Sequence, residues 1–257
     1  MADTHFALSD QGQRRTTNQD RAITKDLKDG FTLLIVADGV GGAAGGETAS
    51  SETVDAIVTS LEQEWIGDPE RALLDAVSAA NQRVRAIAKA DPKIANMATT
   101  LVAALLTGPE AWIVSVGDSR AYLARNNTLE ALTEDDSWVA EQVRAGVLSE
   151  DEAARSPYQN VVTKGIGVEE HVFPVVIGRT LEPGETLLLC SDGLYRVVAD
   201  SEIAQVLQQR TLRTAAEVLV KMANDAGGPD NISVALYRFP GAGNDDVTIR
   251  AVIGGPV

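Results

Sequence analysis

Residues 31–38 read FTLLIVAD, an apolar run of strand length that ends on an acid and passes straight into Gly39. The same arrangement recurs. IVSVGD ends on Asp118, LLLCSD ends on Asp192, and GGPDN places Asp230 just ahead of the apolar run ISVALY. One aspartate at a strand end is ordinary, because aspartate favours turns. Four of them, each at the mouth of a strongly apolar strand, converge on one spot if those strands are neighbours in one sheet. Converged carboxylates repel one another unless cations lie between them. The candidate donors are all oxygen atoms, and the chain has only 2 histidines and 1 cysteine. That donor chemistry favours Mg²⁺ or Mn²⁺ over Zn²⁺.

Composition narrows the function classes. A chain of 257 residues with 44% apolar and 23% charged residues is globular. The formal net charge of -15 argues against nucleic acid, whose phosphates attract clustered Lys and Arg. No apolar run approaches the roughly 18–20 residues that span a bilayer. MADTHFALSD carries neither the basic region nor the apolar core of a secretory leader. With a lone cysteine there is no internal disulfide, so a cytoplasmic location is expected. No regular apolar stripe is left over for a partner helix, so a monomer is expected.

Further strands are expected at 99–107, 111–118, 120–125, 185–192 and 232–239, with Asn126-Asn127 as a hairpin turn. Helices are expected at 47–64, from Asp68-Pro69 through Ile87, and at 137–146, 150–155, 201–209 and 214–226. The last should stop at Gly227-Gly228. Clustered strands with long helices between the clusters fit an α+β fold better than strict βαβ alternation. No linker splits the chain, which reads as a single domain over 1–240 with a tail at 241–257.

The segment SDQGQRRTTNQDRA (9–22) turns at Asp10 and Gly12 and then carries two arginines before Asn18-Gln19-Asp20. A guanidinium near clustered metals can grip a phosphate bidentately. Taken in order, SDQGQRRTTNQD, ADGVGGAAGGETAS, MATTLVAALL, VGDSRAYL, LTEDDSWVAEQVRAGVLSEDEA, LLLCSDGLYRVV and GGPDNISVAL resemble the metal-dependent (type 2C) protein serine/threonine phosphatases in their compact bacterial form. The resemblance covers about residues 5–239. It implies a four-layer sandwich of two antiparallel β-sheets flanked by helices. It implies hydrolysis of phosphoserine and phosphothreonine by a water shared between two Mn²⁺ or Mg²⁺ ions.

Carried over by position, the resemblance implies that Asp38 bridges both ions, with the Gly39 carbonyl as a further ligand. Asp192 and Asp230 are implied to bind the second ion, and Asp20 to hold waters on the ions. Asp118 matches the position that helps hold a third, weaker ion, with Asn160 of the flap (about 146–165) contributing there. Arg15, three residues before Asn18, matches the phosphate-binding arginine. Phosphorylated proteins and a cognate serine/threonine kinase are the implied partners.

Four positions depart from the family pattern. Gln19 replaces an acid; it can still hydrogen-bond a metal-bound water but adds no charge. Val40 stands where some relatives have a histidine and cannot protonate a leaving alkoxide. Asp136 replaces a common histidine, and Arg196 stands where some relatives have an acid. Given Gln19, a phosphatase fold weakened in catalysis that only binds a partner is the alternative.

Two other patterns compete. Cys190 and Arg196 have the C-x5-R spacing of thiolate phosphatases, but the flanking His and Ser/Thr are missing and Asp192 would repel a phosphate in that loop. Gly39-Val40-Gly41-Gly42-Ala43-Ala44 satisfies a weak dinucleotide-binding pattern. There Asp38 would face the pyrophosphate without a cation.

Overall fold

In the computed structural model, which describes residues 4–63, 65 and 67–241, the run at 31–38 lies in a strand buried on both faces. The strands are β1 (His5–Asp10), β2 (Asp20–Asp26), β3 (Phe31–Val40), β4 (Ala98–Thr99), β5 (Leu101–Thr107), β6 (Glu110–Val116), β7 (Arg120–Arg125), β8 (Thr128–Ala131), β9 (Val176–Thr180), β10 (Thr186–Cys190) and β11 (Ile232–Arg238). The helices are α1 (Ala43–Glu62), α2 (Pro69–Ala90), α3 (Trp138–Arg144), α4 (Glu150–Ala154), α5 (Asp192–Tyr195), α6 (Asp200–Gln209) and α7 (Leu212–Asp225). The expected tail lies outside the described residues from position 242 onward.

The strands form two sheets, ordered β1-β11-β10-β7-β8 and β2-β3-β5-β6-β9, with β4 paired to β3. Every pairing among them is antiparallel. This removes the parallel βαβ unit that a dinucleotide site requires.

Alternation along the strands explains the layers. Because successive side chains point to opposite faces, Leu33, Ile35 and Ala37 of β3 pack with α1 and α2, whereas Leu34 and Val36 face the other sheet. In β10, Leu188 and Cys190 pack toward α6 and α7, and Leu187 and Leu189 face the seam between the sheets. A strand with a helix layer on one side and a second sheet on the other has no wet face, so it reads as continuously apolar. The order is helices, sheet, sheet, helices: the expected four-layer α+β sandwich.

Local signals act as expected at several ends. Asp68 caps α2, its side chain accepting from Glu70 N–H, with Pro69 in the first turn. Asn126 and Asn127 take φ of 51° and 59°, the left-handed pair that a two-residue hairpin between β7 and β8 needs. After α7, Gly227 and Gly228 N–H bond back to Asn224 and Ala223 carbonyls.

Three expectations are corrected. Helix α1 begins at Ala43 rather than at 47, because Gly45 and Gly46 are helical. A Cβ on Gly46 would lie 2.8 Å from the Gly39 carbonyl carbon, so this glycine lets the helix press against the end of β3. The expected strand at 99–107 breaks at Thr100, which lies between β4 and β5. Finally, β10 stops at Cys190, and Asp192 opens the one-turn helix α5.

Leu34 lies at the seam with 0% exposure. Leu34→Ala should lower the unfolding free energy by about 2–5 kcal/mol. Urea unfolding at fixed divalent-ion concentration measures it, and a loss below about 1 kcal/mol would mean that the seam is not close-packed.

Candidate active site

The four aspartates at strand mouths come together, but not from one sheet. Asp38 belongs to β3 of one sheet, Asp118 lies in the turn that carries the chain from β6 of that sheet to β7 of the other, and Asp192 and Asp230 flank β10 and β11 of the second sheet. They meet where the two sheets end side by side. A fifth acid joins them through register: Asp20 of β2 is directly opposite Asp38 of β3. Like charges on facing positions destabilise a sheet, so this pair needs compensation.

Each carboxylate is fixed by its neighbours. The break at Thr100 holds Asp38: Thr100 N–H donates to the Asp38 carbonyl at 2.8 Å, and Thr100 Oγ1 accepts from Asp38 N–H at 3.1 Å. Asp20 is 3% exposed and accepts from Ser191 Oγ at 2.7 Å. Asp118 follows Gly117, whose φ of 101° turns the chain out of β6. Its carbonyl accepts from Tyr195 Oη at 2.9 Å. Asp192 is presented by α5, and Gly193 lets that helix lie against Asn231, whose carbonyl oxygen would be 2.0 Å from an added Cβ.

Two arginines enter this acidic group. Arg15 Nη2 is 2.6 Å from Asp230 Oδ2, on a side chain 51% exposed. It is delivered by the turn at residues 12–14, where Gln13 and Arg14 N–H both donate to the Gly228 carbonyl. Arg196 pairs with Asp118 Oδ2 at 3.1 Å and with Asp192 Oδ2 at 2.9 Å. Asn160 is exposed, and its Oδ1 accepts from Arg196, which links it to the carboxylates.

Gln19 is occupied elsewhere. Its Nε2 donates to the Gly42 carbonyl at 2.8 Å, and its own carbonyl accepts from Ser50 Oγ and Gly39 N–H. The residue ties β2 to the glycine-rich turn. Asp136 forms an ion pair with Lys164 at 2.5 Å. Val40 is exposed beside the site.

The electrostatics follow from burial. Desolvation is the largest cause raising the carboxyls of Asp20, Asp38, Asp118 and Asp192 above the usual aspartate range. Asp38 retains some solvent contact, yet it is also pushed up by Asp20, Asp192, Asp118 and Asp230 around it. Asp20 Oδ1 and Asp192 Oδ1 are buried without a hydrogen-bond partner. Among the described residues no three acidic groups stand as a ready-made ligand cage. Arginines pair with Asp118, Asp192 and Asp230. Orphaned carboxylate oxygens and raised carboxyls are nevertheless what hard divalent cations would satisfy, so the residues fit such ions.

The C-x5-R pattern is resolved by position. Cys190 is fully buried among Leu188, Leu194 and Val234, and burial pushes its thiol well up. Its would-be partner Arg196 turns instead to the aspartates. Two polar residues missed in the sequence complete the site. Asn231, 3% exposed, donates to the Gln11 and Thr17 carbonyls and accepts from Gln19 N–H. Ser191 joins Asp20 to Ser233 N–H. Both sit inside the apolar-run-plus-aspartate motifs, whose acids drew the attention.

The protein phosphatase 2C family profile matches residues 11–228. A serine/threonine phosphatase of Listeria welshimeri is 36% identical over 235 residues, 90% of this chain and 93% of that protein. The solved serine/threonine phosphatase of S. agalactiae superposes with a TM-score of 0.86 at 35% identity, covering 91% of this chain and 98% of that one. The catalytic domain of the phosphatase PstP, solved with two manganese ions, gives a TM-score of 0.81 at 34% identity, covering 91% and 96%. The two antiparallel sheets, the acidic mouth between them and these likenesses agree: the chain belongs to the protein phosphatase 2C family.

Proposed function

We propose that this chain is a metal-dependent protein phosphatase that hydrolyses phosphoserine and phosphothreonine. The observation that carries the reading is the group of five aspartates at the seam of the sheets, Asp20 and Asp118 buried and the other three partly so, with two carboxylate oxygens left without partners. Asp38, the Gly39 carbonyl, Asp192 and Asp230 would hold two Mn²⁺ or Mg²⁺ ions, and Asp20 would hold their waters. Such ions supply an acidified water and neutralise charge on the phosphoryl group.

The chain's own residues do the rest. Asp38 is fixed on both sides of its backbone by Thr100, which keeps its carboxylate aimed into the mouth. Ser191 donates to Asp20 and leaves its other oxygen for a water. Arg15, half-exposed and paired with only one oxygen of Asp230, swings to the phosphate and grips two of its oxygens. Val40 offers no proton, so the leaving alkoxide takes one from water. Residues 146–165 act as the flap over this mouth, and 1–240 as one catalytic domain. Among the described residues no helix is long and apolar enough to cross a membrane. We read the chain as a cytoplasmic monomer acting on targets of a serine/threonine kinase. Gln19 is absorbed in packing, so its lack of charge weakens ion binding more than chemistry and does not favour a binding-only module.

Hydrolysis of a phosphothreonine peptide should require Mn²⁺ or Mg²⁺ and stop with EDTA. Asp38→Asn should lower kcat/KM on the order of a thousandfold. Cys190→Ser places a hydroxyl in an apolar core and should lower thermal stability, by about 1–3 kcal/mol, while turnover persists. Metal-independent activity, or activity lost with Cys190→Ser in folded protein, would overturn the reading.

Stability in the absence of divalent ions should depend on pH. Burial pushes Asp192 up to about 7 and Asp20 up to about 6 from a usual value of 3.8. These groups bind protons more tightly folded than unfolded, so their contribution is greatest at low pH and is lost as pH rises toward about 7. The melting temperature of EDTA-treated protein should therefore fall between about pH 5 and about pH 7. Added Mn²⁺ should reverse the fall. A rise over that window in the EDTA-treated protein would contradict the assignment.

A further inference from the structure

Arg196 has a position that the phosphatase reading does not require. It follows Tyr195 at the end of α5, and Tyr195 is held on both sides: its hydroxyl donates to the Asp118 carbonyl, and the Arg120 guanidinium lies 3.7 Å over its ring. Arg120 is in turn locked to Asp135 by two hydrogen bonds of 2.8 Å. The backbone that carries Arg196 is therefore rigid, and its side chain is 25% exposed. The guanidinium reaches four acceptors in three parts of the chain. Its Nε pairs with Asp192 Oδ2 and its Nη2 with Asp118 Oδ2. Nη2 also donates to the Gln159 carbonyl at 3.0 Å, and Nη1 donates to Asn160 Oδ1.

The side chains of Asp118 and Asp192 are 4% and 13% exposed, so two largely buried anions face one cation. A planar fork that is always charged suits this role better than a point charge, because it can meet carboxylates and flap acceptors at once. A divalent ion and the guanidinium cannot hold the same carboxylate oxygens together. The base of the flap is fastened separately: Asp136 takes Lys164 Nζ, its carbonyl accepts from Thr163 N–H, and its Oδ2 accepts from Gly117 N–H.

We propose that Arg196 is a built-in cation that occupies the notch between Asp118 and Asp192 in place of a further divalent ion, and that it pins the flap there through Gln159 and Asn160. The proposal rests on the phosphatase reading of the same mouth. It makes Arg196 a positioning residue: flap placement is set by an attached charge and does not vary with the supply of a third ion.

The test counts Mn²⁺ bound to the full chain by native mass spectrometry and follows amide hydrogen exchange over 156–163 in EDTA-treated protein. Arg196→Ala should bind one ion more than the unmodified chain, and Arg196→Ala combined with Asp118→Asn should lose that extra ion. Exchange over 156–163 should quicken roughly tenfold in Arg196→Ala, the effect of losing about one charged hydrogen bond. Arg196→Lys should keep the original ion count but still loosen the flap, since an ammonium cannot fork. An unchanged ion count in folded Arg196→Ala would overturn the proposal, as would unchanged flap exchange. If that variant does not fold, flap exchange in Arg196→Lys as slow as in the unmodified chain overturns it. An unmodified chain inert toward a phosphothreonine peptide would sink the phosphatase reading alone, because ion count and exchange still decide the role of Arg196.

Discussion

The structure is organised around mutual repulsion among carboxylates that the fold buries in one place. Asp20 and Asp38 face each other across two strands, and Asp118, Asp192 and Asp230 close in from neighbouring turns. Two unit charges about 4 Å apart interact by roughly 4 kcal/mol at an effective dielectric of about 20, comparable with a sizeable fraction of a domain's net stability. Such an arrangement persists only because the rest of the molecule over-determines it. Three apolar layers hold the strands, and the carboxylates are handed to cations. Raised carboxyls, orphaned oxygens and two inserted arginines are all responses to this one constraint.

Much of this was legible in the sequence, for a physical reason. Strands sandwiched between a helix layer and a second sheet have no polar face, so β3, β5, β6, β7, β10 and β11 stand out as apolar runs. The strands that went unseen are β1, β2, β8 and β9. β1, β2 and β9 contain no fully apolar run (HFALSD, DRAITKD, VIGRT), and β8 has four residues. β1, β2, β8 and β9 all end their sheets. An edge strand needs only partial burial, and its pattern merges with that of loops. The apolar runs also say that a strand is buried without saying in which sheet. The four aspartates could therefore be grouped correctly while their shared sheet was not: they converge across the seam of two sheets.

The site was legible to the degree that its residues carry charge. Asp38, Asp118, Asp192 and Asp230 announce themselves at strand mouths. Asn231 and Ser191 do equally specific work, but a buried amide or hydroxyl that satisfies loop carbonyls looks like any other polar residue. Asp20 became part of the cluster through strand register, which no local pattern specifies. Gln19 shows the converse: its place in a motif suggested a hydrogen bond to a metal-bound water, and in the structure its amide donates to the Gly42 carbonyl. Such a hydrogen bond depends on where α1 begins, which the glycine-rich stretch concealed.

Glycine makes the convergence geometrically possible, and it explains why this motif is compact. The chain that carries each of two site acids is packed tightly against a neighbouring segment. At Gly39 a Cβ would lie 2.2 Å from the Gly46 carbonyl oxygen, and at Gly193 it would lie 2.0 Å from that of Asn231. Each glycine immediately follows a site aspartate. The pairs Asp38-Gly39 and Asp192-Gly193 therefore combine two roles in adjacent residues: the acid supplies the charge, and the missing side chain lets a neighbouring segment, α1 at Gly39 and the start of β11 at Gly193, pack directly against the chain that carries it. Substituting alanine at either position would move the backbone that carries the carboxylate. The Asp-Gly ending first visible after FTLLIVAD is thus a device for bringing main chains together as much as for placing a ligand.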